Sequence, residues 1–152
     1  MMDLPIKIKY LSPLFGSGIP KPAYATNGSA GMDLCACISE SHVLLPGERF
    51  AVPLGIAMEI PTGYAGFIYG RSGLGMKFGI TLPNCVGIID SDYRGEIQCA
   101  ITNHSDVPYK IVPGERICQM VFAPIQTAQL IEVTQLDETK RGSGGFGSTG
   151  RK

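Results

Sequence analysis

The sequence contains no apolar run that approaches the roughly 18 residues needed to cross a membrane as a helix. Its first residues, MMDLPIKIKYLSPLF, also lack the long apolar segment of a secretory signal peptide. Thirteen basic and thirteen acidic side chains cancel, so no overall field attracts nucleic acid or an anionic membrane. We therefore expect a cytoplasmic protein that binds neither, and any anionic ligand must be met by a local arrangement of side chains.

The five cysteines provide neither a disulfide framework nor a metal site. Their number is odd, and Cys99 and Cys118 lie in runs expected to form core strands. Free thiols in a reducing cytoplasm fit this pattern better than disulfides. Cys35 and Cys37 form a C-x-C pair, but no second pair or nearby histidine completes a zinc site. Nor does the sequence show a Ser-His-Asp or Cys-His pair.

Helical periodicity never continues for more than about two turns, which disfavours a helical fold. Instead, GIAMEI (residues 55–60) and GEIQCAIT (residues 95–102) alternate apolar and polar positions as half-buried strands do. Twenty glycines and eleven prolines punctuate the chain at a spacing typical of β-sandwiches. The sequence therefore predicts an all-β fold, a distorted jelly-roll-like sandwich or barrel, in which SGLGMKFG (residues 72–79) is at most a short helical turn.

The tetrapeptide PGER occurs twice, at residues 46–49 and 113–116. Proline followed by glycine suits a type II turn, because proline presets φ and glycine accepts a positive φ. Because the tetrapeptide occurs twice, we expect it to have a structural role. We expect the functional residues in the segment after the second copy. The alternation stops at about Thr139, and we expect one domain over residues 1–138 and a mobile arm over residues 139–152.

Several arginines, namely Arg71, Arg94, Arg116 and Arg141, lie beside or close to a glycine. Glycine permits close backbone approach, and a guanidinium supplies a planar fork of donors that matches phosphate oxygens. Together they indicate a polyanionic ligand. GRSGL (residues 70–74) adds a hydroxyl and backbone N–H groups that can form a nest around a phosphate, although the same composition also suits an ordinary β-turn.

The run NCVGIIDSDYRGEIQ, residues 84–98, predicts a hairpin with Asp90, Asp92 and Tyr93 at its tip. A carboxylate near a bound phosphate can orient a water and take its proton, and a tyrosine ring can pack on a sugar and exclude an extra hydroxyl. An ordinary acidic turn with a half-buried tyrosine is the open alternative. For Asp33, in AGMDL, the alternatives are a cap on its own backbone and a carboxylate that holds an arginine.

The stretches AGMDL, GRSGL, VGIIDSDYRGE, PGERICQMVF and RGSGGFGSTG, in that order, resemble the five motifs of the homotrimeric dUTP diphosphatases (dUTPases). The match runs from about residue 24 to residue 150, and the ordered set is far more specific than any one motif. The resemblance implies a jelly-roll-like β fold and a homotrimer with active sites at subunit interfaces. It implies hydrolysis of dUTP to dUMP and pyrophosphate, which removes dUTP from the DNA precursor pool and supplies dUMP for thymidylate synthesis. It also implies Mg²⁺ held by the triphosphate and water, not by protein ligands.

The resemblance further assigns roles to residues. Asp90 would be the general base for a water that attacks the α-phosphorus, and Tyr93 would lie against the deoxyribose and exclude ribonucleotides. The residues assigned to the phosphates are Arg71, Ser72, Gly73 and Gln119, with Asp33 and Arg116 in support; Gln119 would contact the phosphates or order the water. The residues assigned to uracil are Asn84 and the backbone near Gly87, Ile88, Ile89 and Gln98.

The glycine-rich arm would be the family's mobile lid. Phe146 would stack on uracil, while Arg141, Ser148 and Thr149 would reach the triphosphate. From the residues alone, a flexible terminus is the expectation, because five glycines between residues 141 and 150 make ordering costly. With the family pattern, the same cost makes closure depend on ligand contacts.

The sequence departs from the family pattern at two positions. Gly70 stands where a proline usually precedes RSGL, and Phe78 stands where histidine is frequent.

Two other functions stay open. A dCTP deaminase shares the fold, but it would need an added acid for attack on the pyrimidine ring and usually lacks a glycine-aromatic tail. A non-catalytic jelly-roll module would bind nucleotide and leave it uncleaved.

Overall fold

The computed structural model describes residues 4–145. Within them it has twelve strands and one helix, which confirms the all-β, jelly-roll-like prediction. The strands are β1 (Lys7–Tyr10), β2 (Ala23–Tyr24), β3 (Met32–Cys35), β4 (His42–Leu44), β5 (Arg49–Pro53), β6 (Ile56–Glu59), β7 (Tyr64–Gly70), β8 (Ile80–Thr81), β9 (Gly87–Ile89), β10 (Gln98–Asn103), β11 (Tyr109–Ile111) and β12 (Arg116–Pro124), and the helix is α1 (Ser72–Phe78).

Antiparallel pairing organises these strands into one large sheet and three smaller ones. The large sheet has the order β2-β3-β12-β7-β9, and a second sheet has the order β5-β10-β8. The remaining pairs are β1 with β6 and β4 with β11. Because β3, β7 and β12 are neighbours, the large sheet brings together three of the sequence motifs that lie far apart along the chain.

The larger of two buried apolar clusters within residues 4–145 contains side chains from different sheets. Leu34 of β3, Ile68 of β7 and Ile101 of β10 belong to the same buried cluster, and none is more than 2% exposed. The burial of such aliphatic side chains from both large layers is the main source of stability in a fold with little helix.

The predicted alternation in β10 is confirmed, but it ends early. Cys99 and Ile101 are buried as expected, whereas Asn103 is also fully buried. Its side-chain amide donates to the carbonyls of Leu44 and Val107 at 3.0 and 2.8 Å, so this buried polar group is satisfied. Asn103 therefore ties β10 to the end of β4 and to the loop that contains Val107, a role that periodicity does not reveal.

Both PGER turns form as predicted. Gly47 and Gly114, at the third position of each turn, have φ of +79° and +76°, as a type II turn requires. In each turn the N–H of the glutamate donates to the carbonyl three residues earlier at 3.1 Å. The strands that lead into the turns, β4 and β11, pair antiparallel, so the two PGER turns lie at opposite ends of this strand pair.

Helix α1 is seven residues long, slightly more than the single turn predicted. Leu74 is only 7% exposed and anchors one face of the helix in the core, which offsets the two glycines inside it. Gly79 ends the helix with φ of +69°, and its N–H donates to the carbonyls of Leu74 and Gly75. Arg71 immediately precedes the helix in an extended conformation.

The predicted hairpin over residues 84–98 is wrong. β9 pairs with β7 in the large sheet, whereas β10 pairs with β5 and β8 in another sheet. The turn between them does form, since the N–H of Tyr93 donates to the carbonyl of Asp90 at 3.2 Å. Alternating patterns predict two strands around a turn, but they do not specify which strand each one pairs with.

Beyond β12, residues 125–138 form no helix or strand. Their apolar side chains are exposed, with Leu130 at 93% and Leu136 at 81%. The boundary at residue 138 stays a prediction.

All five cysteines are free thiols, as predicted. Within residues 4–145, no helix has the length and apolar character to cross a membrane.

Candidate active site

Residues predicted to hold phosphates gather around Asp33 on the large sheet. The Nε of Arg71 donates to Oδ1 of Asp33 at 2.9 Å, and the Nη1 of Arg116 donates to Oδ2 at 3.1 Å. Of the two alternatives for Asp33, the structure has the one in which the carboxylate holds arginines. Two guanidinium groups on one carboxylate leave this cluster with one net positive charge.

A register shift in β12 brings Arg116 and Gln119 to the same side of the sheet. Arg116 pairs with Cys35, Cys118 with Leu34, and Gln119 with Asp33, so one extra residue lies between the first two pairs. Residues three apart in a regular strand face opposite sides, and a bulge of one residue cancels that difference. In the sequence, the bulge corresponds to two consecutive apolar residues, Ile117 and Cys118, which interrupt the alternation. Both are buried in the structure.

Gln119 is held in place by a hydrogen bond and by a glycine. Its Nε2 donates to the carbonyl of Gly70 at 3.1 Å. A β-carbon added at Gly31 would lie 2.5 Å from the Gln119 Oε1 and 3.1 Å from its Cβ. Only glycine therefore fits beside the present Gln119 side chain. This role of Gly31 was missed from the sequence, although its place in AGMDL was a signal.

These groups line an open cleft of about 460 Å³. Its lining residues are Ala25, Ser29, Ala30, Gly31, Asp33, Arg71, Ser72, Gly73 and Gln119. Ser72 and Gly73 begin helix α1, where backbone N–H groups have no partner within the helix. The cleft thus presents a guanidinium, a hydroxyl, an amide and backbone donors to any anion that enters it.

The thiols beneath the cluster are held in the neutral form. Burial raises the pKa of Cys35, the Asp33 carboxylate raises it further, and the two arginines oppose this. A hydrogen bond with Cys99, followed by burial, raises the pKa of Cys118 well above its ordinary value. Neither Cys35 nor Cys118 is suited to act as a nucleophile.

A second group of predicted residues surrounds the turn after β9. A pocket of about 180 Å³ is lined by Ile88, Ile89, Asp90, Tyr93, Glu96, Ile97 and Gln98. Asp90 is exposed, and Tyr93 is 44% exposed. The hydroxyl of Tyr93 donates to the carbonyl of Glu96 at 3.0 Å, which fixes the ring at the pocket wall.

Asn84 and Gly87 do not line this pocket. Asn84 is exposed in the turn before β9, where its carbonyl accepts from the N–H of Val86 at 2.6 Å. Gly87 begins β9 and pairs with Ile68. Both residues are close in sequence to the pocket, and their assignment to uracil stays a prediction.

One chain does not bring the two groups together. Ile89 pairs with Gly66 in an antiparallel register, so the next residue, Asp90, lies at the level of Ala65. Arg71 is six residues further along that strand, which corresponds to roughly 20 Å at about 3.3 Å per residue. Arg71 is also tied to Asp33, so its side chain does not span this gap.

The part of the arm that the structure describes folds on itself. The Nε of Arg141 donates to the carbonyl of Gly144 at 2.8 Å, and the N–H of Gly142 donates to the carbonyl of Thr139 at 3.0 Å. Phe146, Ser148 and Thr149 lie outside the described residues. Their predicted contacts with the nucleotide stay predictions.

The cleft around Asp33 has few ligands for a metal ion. Among the residues that the structure describes, Asp33 is the only acidic one that lines the cleft, and both of its oxygens accept from arginines. Over residues 4–145, no three His, Cys, Asp or Glu side chains are grouped closely enough to hold a metal ion. A cation in this cleft would need a ligand molecule to supply its oxygens.

Comparison with known proteins gives one family. The family model described as dUTPase matches residues 18–150. The deoxyuridine 5'-triphosphate nucleotidohydrolase of Shewanella oneidensis is 47% identical over 152 residues, which cover 99% of this chain and 100% of that protein. The protein of the same description from Enterobacter sp. is 47% identical over 148 residues, or 97% of each chain.

Solved structures give the same result. The dUTPase of Staphylococcus bacteriophage 80alpha with dUPNHPP superimposes with a TM-score of 0.85 and 29% identity, over 96% of this chain and 98% of that one. A mutant dUTPase from phage phi11 of S. aureus, described as coordinating a structural Mg(II) ion, has a TM-score of 0.75 and 25% identity, over 86% of this chain and 97% of that one.

Proposed function

This chain belongs to the dUTPase family, and on that premise we propose how it hydrolyses dUTP to dUMP and pyrophosphate. Asp90 of one copy acts on a triphosphate that Arg71 of another copy holds. The observation that supports this division is the separation of roughly 20 Å between the two residues in one chain, where each lines a different pocket.

The cleft around Asp33 is the proposed triphosphate site. Arg71 and Arg116 neutralise phosphate charge, and Asp33 holds both side chains in place by accepting one hydrogen bond from each guanidinium. The hydroxyl of Ser72 and the backbone N–H groups of Ser72 and Gly73 complete a set of donors for phosphate oxygens. Gln119 contacts the phosphates or orders the attacking water.

The pocket beside β9 is the proposed nucleoside site. Uracil is recognised by Asn84 and by the backbone near Gly87, Ile88, Ile89 and Gln98, and the ring of Tyr93 lies against the deoxyribose. Support comes from the pocket of about 180 Å³, which combines apolar walls with Asp90 at its rim. At about 180 Å³ the pocket is smaller than a typical complete ligand site, so it would hold the base while the sugar lies against the ring of Tyr93.

The proposed reaction is an in-line displacement at the α-phosphorus. Asp90 accepts a proton from a water as its oxygen bonds to the α-phosphorus. The bond from that phosphorus to the bridging oxygen breaks, and pyrophosphate leaves with the electron pair. The arginines of the triphosphate site balance the charge that develops on the leaving group.

Magnesium is proposed to enter with the substrate, held by triphosphate oxygens and water. The support is that the carboxylate of Asp33 is already occupied by Arg71 and Arg116. When bound, Mg²⁺ would neutralise part of the charge on the phosphates. The chain's own contribution is to place donors around the oxygens that the ion leaves free.

We propose a homotrimer, in which each active site is completed across a subunit interface. Besides the separation of Asp90 from Arg71, the support is the exposed apolar segment after β12. Leu130, Ile131 and Leu136 are 93%, 78% and 81% exposed in a single chain, an arrangement that suits burial against another copy. The proposed compartment is the cytoplasm, since all five cysteines are free thiols.

The arm over residues 139–152 is the proposed lid. Its glycine content makes closure costly unless nucleotide contacts compensate, so a bound nucleotide would control it. Removal of residues 139–152 should lower the turnover of dUTP and leave the oligomer intact. A truncated protein with full turnover would rule out the lid.

The chemical assignment is tested by Asp90→Asn. Release of pyrophosphate from dUTP with Mg²⁺ should fall by about 10²-fold or more, because the amide accepts no proton. Asp92→Asn is the matched control in the same turn and should retain activity. Equal losses in both variants would assign the effect to the charge of the turn instead of to a base. Ammonia release from dCTP would identify a deaminase.

A further inference from the structure

We propose that Gly95 and the backbone carbonyl of Glu96 are positioning groups that set how strongly the enzyme rejects ribonucleotides. The inference rests on the proposed function, in which the ring of Tyr93 packs against the deoxyribose. It goes further by naming what holds that ring. Neither group contacts the reacting atoms, and both act only through Tyr93.

Gly95 leaves the space that the Tyr93 ring occupies. A β-carbon added at Gly95 would lie 2.7 Å from Cζ of Tyr93, 3.1 Å from Cε2 and closer still to the hydroxyl oxygen. Carbon atoms in contact are normally about 3.5–4.0 Å apart, so the outer end of the ring would have to move by about 1 Å. The φ of Gly95 is not in the left-handed region, so alanine fits the backbone and its methyl group is the only change.

The tip of the ring is fixed by a hydrogen bond. The Tyr93 hydroxyl donates to the carbonyl of Glu96 at 3.0 Å. The side chain of Glu96 is itself held, because its Oε1 accepts from the N–H of Gly55 at 3.0 Å. Gly55 lies between β5 and β6 with φ of +66°. Glu96, which anchors the ring, is therefore tied to the loop between β5 and β6.

The position of the ring decides whether a ribonucleotide is rejected, because it sets the space between the ring and the 2'-carbon of the sugar. A ring that is firmly held leaves no room for a 2'-hydroxyl, whereas a ring displaced by about 1 Å admits one. An apolar pocket that merely tolerates an added hydroxyl discriminates by only about 10². We therefore expect a displacement of the ring by about 1 Å to lower the discrimination between dUTP and UTP.

The test is Gly95→Ala, with kcat/KM measured for dUTP and for UTP. The ratio of the two values should fall at least about tenfold relative to the wild-type protein. Gly18→Ala is the matched control, because a β-carbon at Gly18 meets nothing within 4 Å. Its ratio should equal that of the wild type. An unchanged ratio in folded Gly95→Ala protein would overturn the proposal.

A second background separates positioning from a general structural role. In the Tyr93→Ala protein there is no ring to displace, so adding Gly95→Ala should not lower the ratio of kcat/KM for dUTP to kcat/KM for UTP any further. An equal fall in this ratio in both backgrounds would overturn the proposal. Tyr93→Phe keeps the ring and removes its hydrogen bond to Glu96, so it provides a test even if Gly95→Ala does not fold. This variant should lower the ratio of kcat/KM for dUTP to kcat/KM for UTP. An unchanged ratio would contradict the positioning role of the Glu96 carbonyl.

Different experimental results would contradict the proposed function and the positioning role of Gly95. If the wild-type protein releases no pyrophosphate from dUTP, the reaction itself is wrongly assigned. If it cleaves dUTP and UTP equally well, the role of Tyr93 is wrong and the positioning role of Gly95 is wrong with it.

Discussion

Arg71 donates its Nε–H to Oδ1 of Asp33 at 2.9 Å, with the two side chains 29% and 16% exposed. The other carboxylate oxygen accepts from Arg116 at 3.1 Å. The bond between Arg71 and Asp33 joins the end of β7 to β3, and Arg116 joins β12 to the same carboxylate. The carboxylate of Asp33 thereby holds together three segments that are distant in sequence, beside the cleft that Asp33 and Arg71 line.

The first prediction concerns Asp33. An asparagine there has one acceptor oxygen, so it can hold only one of the two guanidinium groups, and its amide hydrogens face the other. In Asp33→Asn, kcat/KM for dUTP should fall by about 10–100-fold, as is typical when a supporting hydrogen bond is lost. Steady-state pyrophosphate release measures this.

The control is another ion pair of the same chain. Lys7 and Glu59 are 2.8 Å apart, but their side chains are 80% and 47% exposed, and they line neither proposed site. Glu59→Gln should leave kcat/KM unchanged, since exposed pairs contribute little. A loss in Glu59→Gln equal to that in Asp33→Asn would mean that the effect is not specific to the cleft.

The second prediction concerns Gly31. An added methyl group would meet the Gln119 side chain at 2.5 Å and force it to turn away. We expect Gly31→Ala to lower kcat/KM for dUTP by about tenfold through this displacement. Gly28→Ala is the control in the same loop, because its β-carbon would meet nothing within 4 Å.

The dependence on Gln119 can be tested directly. In a Gln119→Ala background, Gly31→Ala should cause no further loss, because the side chain it displaces is absent. Additive losses would show that Gly31 acts on some other group of the cleft.

The third prediction is a pH dependence at Tyr109. Its hydroxyl donates to the Glu115 carboxylate, whose other oxygen accepts from the N–H of Val112 at 3.0 Å. Burial, followed by this bond to Glu115, raises the pKa of Tyr109. The folded protein therefore keeps a proton that the unfolded chain loses above about pH 10, so this stabilisation is present at neutral pH and declines above that value.

Tyr109→Phe isolates this contribution. At pH 7 the variant should have a free energy of unfolding about 1 kcal/mol lower than the wild type, the usual contribution of one such hydrogen bond. The difference should shrink above about pH 10, because phenylalanine has no proton to lose. Urea unfolding at both pH values measures it, and a difference that grows with pH would contradict the shift.

The sequence predicted the fold class better than it predicted the pairing of the strands. Alternation in β10 and the two PGER turns are local properties, so periodicity and turn chemistry predict them. The pairing of β9 with β7 instead of with β10 depends on contacts across the whole sandwich. The hairpin prediction failed for that reason.

Some features of the site were present in the sequence but not recognisable there. The bulge at Ile117 leaves only a short break in alternation, which also occurs in ordinary buried strands. The close fit of Gly31 against Gln119 joins residues that are distant in sequence, so no local pattern contains it. The distance between Asp90 and Arg71 follows from strand register, which a single sequence does not give.

The central claim is that Asp90 of one copy acts on a substrate that Arg71 of another copy holds. The most direct measurement mixes two inactive variants, Asp90→Asn and Arg71→Ala, by joint unfolding and refolding or by co-expression. In random mixed oligomers, about one site in four would receive an intact Arg71 and an intact Asp90 from different copies. Pyrophosphate release from dUTP should therefore recover to about a quarter of the wild-type rate. A mixture no more active than either variant alone, with mixed oligomers shown to form, would contradict the claim.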